Sequence, residues 1–526
     1  MVGSHYQIPP DFRRIPAQIN LSEEALRHAG ETDAGSRPAL LHPTGVISYR
    51  QLAADVARFA GGLQSAGVRR GQRVMVRMTN SPEFAVAFLA LVRLGALPVL
   101  QNSLATVPEI SHVIDACKPV CAITLAEIAE PLRQQSSLFT SRLIVARGAA
   151  EGEIAFEDLL HGEPSPAAAT DPNEPAFMVY TSGTTGKSKG IVHAHRWIAV
   201  LGDSNRLRLP PRENDIVLST AEWSFIAALG QNLLFPLRNG VQVAMLEGRA
   251  LPERVLEAIE RYRVTLLYSV ATVYRRLLAT EGFERRFDLS SLRGCNSTGE
   301  PLEKATYDEW KRRVGCDIWE HYGISEMQMV FGQGPMIPLR PGSVGVPLPG
   351  TRVAILDDDY RPVPVGEVGN LLIGADDPGF FLGYHNDPEL TQYTLRRGWY
   401  HTGDLARQDD EGYIWIAGRS DDCFKSRGIF VSPVEIESAL REHPAVTEAC
   451  VVARPDREIG NQIRAIVVPR KPEQATQAIA DDIKRLLKER VAPYKVPHTI
   501  EFADSLPKSA VGKVLRRVLR DTAPPT

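Results

Sequence analysis

The sequence is poor in cysteine and has no long apolar run, no block of like charge and no internal repeat, and each absence removes a class of function. Six cysteines in 526 residues, with only Cys117 and Cys121 close together and no second pair or nearby histidine, give neither a disulfide framework nor a zinc pattern. They read as reduced thiols in a cytoplasmic protein. His193, His195 and His321 lack His-x-x-x-His or His/Cys spacing, so structural or substrate-orienting roles are expected of them rather than metal ligation. The most apolar stretch, Phe84 to Leu100, is interrupted by Arg93, Gly95 and Pro98 and is too short to cross a bilayer. With Ser81 as cap and Pro82 in the first turn, it predicts a buried helix running into a strand. The polar, proline-bearing start with Arg13 and Arg14 reads as no secretory signal. A net charge of -3, with no basic run and no interleaved aromatics, leaves no footprint for nucleic acid. Neither a nucleic-acid nor a membrane partner is expected.

What remains is an ordinary globular composition, 44% hydrophobic and 23% charged, in a chain long enough for two or more domains. From about Ala39 to Leu246 amphipathic helical stretches alternate with short apolar strands. Pro252 to Val270 repeats the pattern as a helix followed by the strand Val264–Tyr268. Such alternation predicts an α/β fold, a large N-terminal domain of doubly wound sheets covered on both faces. After about residue 340 short β segments punctuated by glycine and proline (Arg352–Leu356, Asn370–Ile373, Tyr413–Ile416) suit a small β-barrel or distorted sheet. The polar segment Gly418-Arg419-Ser420-Asp421-Asp422 marks the next change. Beyond it the chain carries its own α+β pattern: a helix from Pro433 to about His443, strands Ala449–Ala453 and Ile463–Pro469, a helix around Ala480–Glu489, and a basic helix opening near Val511. The expected organisation is residues 1–419 as one domain and 420–526 as a small mobile C-terminal domain.

One segment points to chemistry. Residues 180 to 190 read Tyr-Thr-Ser-Gly-Thr-Thr-Gly-Lys-Ser-Lys-Gly: glycine, hydroxyl and ammonium groups without an acid or an aliphatic. Gly183, Gly186 and Gly190 let main-chain N–H groups converge on anionic oxygens, Thr181, Ser182, Thr184 and Thr185 add hydroxyl donors, and Lys187 and Lys189 add charge. This is the composition of a phosphate clamp, although alone it is equally that of a flexible linker. The Walker spacing is absent, because Gly183 is followed by only two residues before Gly-Lys-Ser.

Four further segments follow: Ser297-Thr298-Gly299-Glu300-Pro301, His321-Tyr322-Gly323-Ile324-Ser325-Glu326, Tyr400-His401-Thr402-Gly403-Asp404, and Pro507 to Lys513. In this order and at these separations the five resemble the motif series of the acyl-adenylate-forming superfamily, over about residue 30 to the end. The resemblance implies an AMP-forming acid–thiol ligase using ATP, Mg²⁺ and CoA, in which a carboxylate attacks the α-phosphorus of ATP. Two anions must then be brought together, so positioning and charge neutralisation carry the catalysis. The 181–190 loop would hold the departing phosphates, with Lys189 its key charge, and Glu326 would hold Mg²⁺. Ser325, where the family usually has threonine, would donate to the α-phosphate. Asp404 would take the ribose hydroxyls, and Arg419 the ribose or α-phosphate. Tyr322 would stack on adenine, with the Gly299-Glu300-Pro301 backbone on the other face and Glu320 near the adenine amino group. Lys513 matches the family's adenylation lysine and Asp421 its hinge. Lys425, Arg427 and Gly428 would fall on the face that forms the pantetheine tunnel. Taken singly, each of these residues also has an ordinary reading as turn acid, cap, surface ion-pair partner or core aromatic.

The resemblance places the acyl pocket along Ala221 to Gly230 and Gly323, with Trp223, Phe225 and Ala228 as walls. Two bulky aromatics so close together would shorten a channel and favour a flat ring. Asn232–Gly240 and Gly428–Glu437 look most like benzoate-type and 2-aminobenzoate-type CoA ligases, while Arg340–Gly350 looks equally like medium-chain enzymes. The expected reaction is ligation of an aryl carboxylate, best 2-aminobenzoate or benzoate, to CoA, by a monomer or homodimer. The alternatives are a medium-chain or alicyclic acid, a carrier protein as the thiol acceptor, or, in another class, a non-catalytic nucleotide-binding sensor. Intact Lys189, Glu326, Asp404 and Lys513 argue against the last.

Overall fold

The structure, a computed structural model, describes residues 6–135, 137, 139, 142–182, 188–246, 248–427, 429–456, 459–508 and 514–521. The chain divides into two compact units, Met1–Arg352 with Gly374–Tyr400, and Val353–Ile373 with His401–Thr526.

Helix–strand alternation in the first unit becomes two mostly parallel sheets. In the eight-stranded sheet, Pro175–Ser182, Leu97–Leu100, Arg73–Arg77, Cys121–Leu125, Ile144–Ala146 and Ile154–Ala155 run parallel, and Ser188–Ala194 returns antiparallel to Pro175–Ser182. The nine-stranded sheet has a parallel centre in the order Ile318–Tyr322, Gly294–Ser297, Leu266–Ser269, Ile216–Ser219, Gln242–Ala244, Pro38–His42. Strands such as Cys121–Leu125 are buried along their whole length, as helices on both faces require.

Local signals set the helix boundaries. Pro82–Arg93 starts where Ser81 Oγ accepts the Phe84 N–H at 3.2 Å, with proline in its first turn. Phe84 through Val92 are all buried, and the chain then enters the strand Leu97–Leu100, as its apolar pattern predicts. A helix apolar all round belongs in the interior, and Phe84 and Phe88 pack edge-on against Trp223 and Phe177. Among the described residues no helix is long and apolar enough to cross a membrane.

The second unit begins with short antiparallel pairs, Val353–Leu356 with Gly369–Gly374 and Trp399–Gln408 with Ile414–Arg419. They belong to a sheet that stays open, a half-barrel where the sequence suggests a small barrel. The C-terminal part follows: strands Val446–Asp456, Gly460–Pro469 and Thr499–Phe502 form one sheet. Helices Pro433–Arg441 and Gln477–Arg490 pack on it through Ile436, Leu440, Ile483 and Leu487. The last described helix is Arg516–Asp521, and an antiparallel bridge joins Lys508 and Val514 ahead of it; the helix opening expected near Val511 lies outside the described residues.

Candidate active site

Four neighbouring parallel strands of the first unit end on one edge. The loops leaving Ile216–Ser219, Gly294–Ser297 and Ile318–Tyr322 carry three of the segments singled out above. Ligands of open α/β sheets bind at the carboxyl ends of strands, so the topology alone collects these loops.

The centre of the group is an ion pair. Lys189, on the strand Ser188–Ala194 and opposite Thr181, donates from Nζ to Glu326 Oε1 at 3.0 Å and to the Tyr384 hydroxyl at 2.9 Å. The Tyr384 hydroxyl itself donates to the same Oε1 at 2.5 Å, and the lysine lies 4.1 Å from the Tyr384 ring centroid. Burial and the adjacent Glu326 charge push the Tyr384 phenol up, so it stays a neutral donor. Glu326 is almost fully buried, and both contacts fall on one oxygen. Among the described residues no three acids, histidines or cysteines gather in a metal-binding group. A lone carboxylate does not hold a resident ion, but it suits Mg²⁺ that arrives on phosphate oxygens and keeps most of its waters.

The turn carrying Ser325 and Glu326 is fixed from several sides. A Cβ on Gly323 would stand 1.5 Å from the Gln328 carbonyl oxygen, so only glycine allows the turn to close. The Trp197 indole N–H donates to the Met327 carbonyl at 2.9 Å, and His193 Nε2 donates to the Ser325 carbonyl at 3.0 Å. Complete burial pushes the His193 pKa down to about 3, so the ring is a neutral brace. Tyr322 is half-buried, its ring tilted 50° to Phe331.

The acids of the two segments expected around adenine, Glu300 and Glu320, are engaged with the protein. Glu300 accepts from the backbone N–H and the hydroxyl of Thr272, capping the helix Ala271–Ala279. Glu320 accepts from the Leu302 N–H at 3.2 Å and the Gly342 N–H at 2.8 Å, tying together the two loops that follow its neighbouring strands. Burial pushes its pKa up to about 8 despite those bonds. Gly299 has φ +84° with open space where a Cβ would be, which leaves its backbone face clear, and Pro301 follows on the same loop. In the segment Ala221–Gly230, Trp223 is completely enclosed: its indole donates to Asn232 Oδ1 at 2.7 Å and its backbone N–H to Asn80 Oδ1 at 2.7 Å. Ala228 is also buried, so of the two expected aromatic walls only Phe225 keeps accessible surface.

The second unit carries Asp404 and Arg419 directly opposite each other on paired strands. Arg419 Nη1 donates to the Thr402 carbonyl at 2.8 Å and lies 3.5 Å from Asp404 Oδ1. Gly403 has φ +73° and a Cβ there would meet the Arg419 guanidinium at 2.7 Å, so glycine is what lets the arginine lie against the backbone. Asp421 is exposed, as are Lys425 and Arg427, the latter with φ +53°. Gly183, Thr184, Thr185, Gly186, Gly428 and Lys513 lie outside the described residues, as does the side chain of Ser182.

The sequence reading missed Tyr384 and Trp197. Tyr384 stands in Phe380-Phe381-Leu382-Gly383-Tyr384, which reads as aromatic core. Only the pairing of Gly383–Tyr384 with Ser188–Ala194 brings its hydroxyl to Lys189.

Residues 26–385 match the family model described as AMP-binding enzyme, and residues 435–513 match the AMP-binding enzyme C-terminal domain. The benzoate–CoA ligase of Thauera aromatica is 33% identical over 99% of both chains, and the 3-hydroxybenzoate–CoA ligase of Aromatoleum sp. (strain CIB) 31% identical over 96% of this chain and 97% of its own. Among solved structures, the anthranilate CoA ligase AuaEII in complex with anthranoyl-AMP superposes with a TM-score of 0.89 at 32% identity, covering 96% of this chain and 97% of that one. With the strand-end loops and the half-buried lysine–glutamate pair in place, the chain belongs to the AMP-binding enzyme family.

Proposed function

We propose that this enzyme is an ATP-dependent carboxylate:CoA ligase of the cytoplasm that adenylates an aromatic acid, with 2-aminobenzoate and benzoate the leading candidates, and passes the acyl group to CoA. The observation that carries the reading is the Lys189–Glu326–Tyr384 group at the end of the polar 180–190 segment. It couples a phosphate-seeking cation to a metal-seeking carboxylate. The relatives' activities toward benzoate, 3-hydroxybenzoate and anthranilate support an aromatic acid.

In the first half-reaction the acid's carboxylate oxygen bonds to the α-phosphorus and pyrophosphate leaves. Lys189 steadies the departing phosphates, Ser325 donates to the α-phosphate, and Tyr322 with the Gly299–Pro301 backbone brackets the adenine. Mg²⁺ held at Glu326 would neutralise phosphate charge when bound. Asp404 and Arg419 take the ribose. In the second half-reaction the CoA thiol attacks the acyl carbon and AMP leaves. Release of pyrophosphate dependent on acid, measured over a panel of aromatic, alicyclic and medium-chain acids and then with CoA or a carrier protein, tests the reading. Silence with every acid overturns it.

Metal and ribose roles separate by substitution. Glu326→Gln keeps size but loses charge, so its weakened adenylation should recover in part with excess Mg²⁺. Asp404→Asn should raise the KM for ATP about tenfold with no rescue by metal. Equal metal responses would refute the assignment. At the acyl wall, Phe225→Ala removes accessible aromatic surface and should shift preference toward bulkier acids, by about 1 kcal/mol per carbon accommodated. An unchanged order of preference would place the selecting wall elsewhere.

A further inference from the structure

Tyr384 reaches the Lys189–Glu326 pair on backbone that is stitched to both partners. The strand Gly383–Tyr384 pairs antiparallel with Ile191 and Val192, which follow Lys189 in its own strand. The Leu382 N–H donates to the Val192 carbonyl at 2.7 Å, the His385 N–H to the Gly190 carbonyl at 2.8 Å, and the Phe381 N–H to the carbonyl of Glu326 itself at 2.8 Å. The Tyr384 N–H donates to Thr391 Oγ1 at 2.9 Å. Its ring packs edge-on against Phe381, with centroids 4.9 Å apart at 66°, and Phe380 and Phe381 pack in turn on Tyr400. A side chain fixed from so many sides delivers its hydroxyl to one point.

The single proton of that hydroxyl goes to Glu326 Oε1 at 2.5 Å, and one of its lone pairs takes Lys189 Nζ at 2.9 Å. It bonds each charge independently of the other. The two ends of the pair differ in freedom. The Lys189 side chain is 28% exposed and that of Glu326 7%, so the long, partly open lysine can turn away while the enclosed carboxylate stays. The Tyr400 hydroxyl stands 3.5 Å from that of Tyr384. Burial, then the Glu326 charge, push the Tyr400 phenol up, so a second neutral hydroxyl backs the first.

Phosphate chemistry calls for that difference. An ammonium neutralised by a carboxylate 3.0 Å away attracts phosphate weakly, so a bound polyphosphate competes with Glu326 for the lysine. A buried carboxylate stripped of its cation is costly unless other donors remain on it. Tyr384 supplies such a donor from a position that the departure of the lysine does not disturb.

We propose that Tyr384 is a positioning residue that holds the Glu326 carboxylate in place while Lys189 exchanges it for the phosphate oxygens of ATP. The inference rests on the ligase reading and adds to it that the resting lysine–glutamate pair opens in each cycle. Tyr384 acts through Glu326 and not by contact with the acid.

Two comparisons on the full chain test it. Tyr384→Phe keeps the ring and its place beside Phe381 and deletes the hydroxyl alone, whereas Tyr384→Leu deletes the ring as well. In acid-dependent pyrophosphate exchange Tyr384→Phe should lower kcat about tenfold or more, the worth of a charge-assisted hydrogen bond, with the KM for the acid unchanged. Full activity in Tyr384→Phe, with loss only in Tyr384→Leu, would assign the residue to packing and overturn the inference. The second comparison needs no turnover. Lys189→Met reproduces the state in which the lysine has left the carboxylate, so Tyr384→Phe should lower the melting temperature by more in Lys189→Met than in the unsubstituted chain. An equal or smaller shift there overturns the inference whatever the rates. If the unsubstituted chain releases no pyrophosphate with any acid, the ligase reading itself falls, and with it the exchange for phosphate.

Discussion

Lys513→Ala should lose acid-dependent pyrophosphate exchange by about 10³-fold or more, the scale seen when a charge aimed at a transferring phosphoryl group is removed. The same variant should still convert presynthesised acyl-adenylate to thioester. The asymmetry follows from charge. Adenylation brings a carboxylate up to the α-phosphate and needs a cation there, whereas thioester formation releases AMP from a carbon centre and creates no new phosphate charge. Lys513 lies outside the described residues, but its flanks are well anchored. Lys508 pairs with Glu448 at 2.7 Å and bridges to Val514, while Leu506 and Leu519 pack with Cys450, Val452 and Ile466. Replacing Lys513 removes none of these contacts, so the C-terminal sheet should keep its melting behaviour. Equal loss of both half-reactions would show that Lys513 serves the whole cycle, and the hinge role given to Asp421 would lose its purpose.

How much of this was legible in the sequence depended on whether the decisive partner was near in the chain. The helix Pro82–Arg93 was legible because cap, proline and apolar run lie within one segment. The Lys508–Val514 bridge was not legible, because it is a pairing choice that basic composition does not reveal. Lys189 and Glu326 stood out as functional types in polar turns. Tyr384 did not, since its hydroxyl reaches Lys189 only through strand pairing across 195 positions. Glu320, placed by resemblance near the adenine amino group, also accepts from backbone N–H groups 18 residues before it and 22 after, a loop-tying role that only the fold reveals. Trp223, expected by resemblance as a pocket wall, packs against Phe84 and donates to Asn232, partners far enough away in the chain that its enclosure was not legible. Periodicity reports which face is apolar, not whether that face meets a ligand or another helix.

Lys189→Met should reduce adenylation by about 10²- to 10³-fold, and its interaction with Glu326→Gln distinguishes catalysis from packing. In the absence of nucleotide the two charges satisfy each other at 3.0 Å in a site where the glutamate is nearly inaccessible. Removing the lysine alone takes away the cation for the departing phosphates and also leaves a buried carboxylate beside the neutral Tyr384 and Tyr400 hydroxyls, a penalty on top of the lost chemistry. Removing the glutamate charge as well relieves that penalty. The double variant Lys189→Met/Glu326→Gln should therefore melt higher than Lys189→Met. Its adenylation rate should be no worse than about that of the weaker single, because residues acting as one unit are not additive. Excess Mg²⁺ should rescue Glu326→Gln alone, since in the double variant the phosphate cation is still missing. Melting curves and pyrophosphate exchange over a Mg²⁺ series on the same four proteins decide the point. If the two losses simply multiply, Lys189 and Glu326 work on separate parts of the reaction and the ion pair is a bystander of folding.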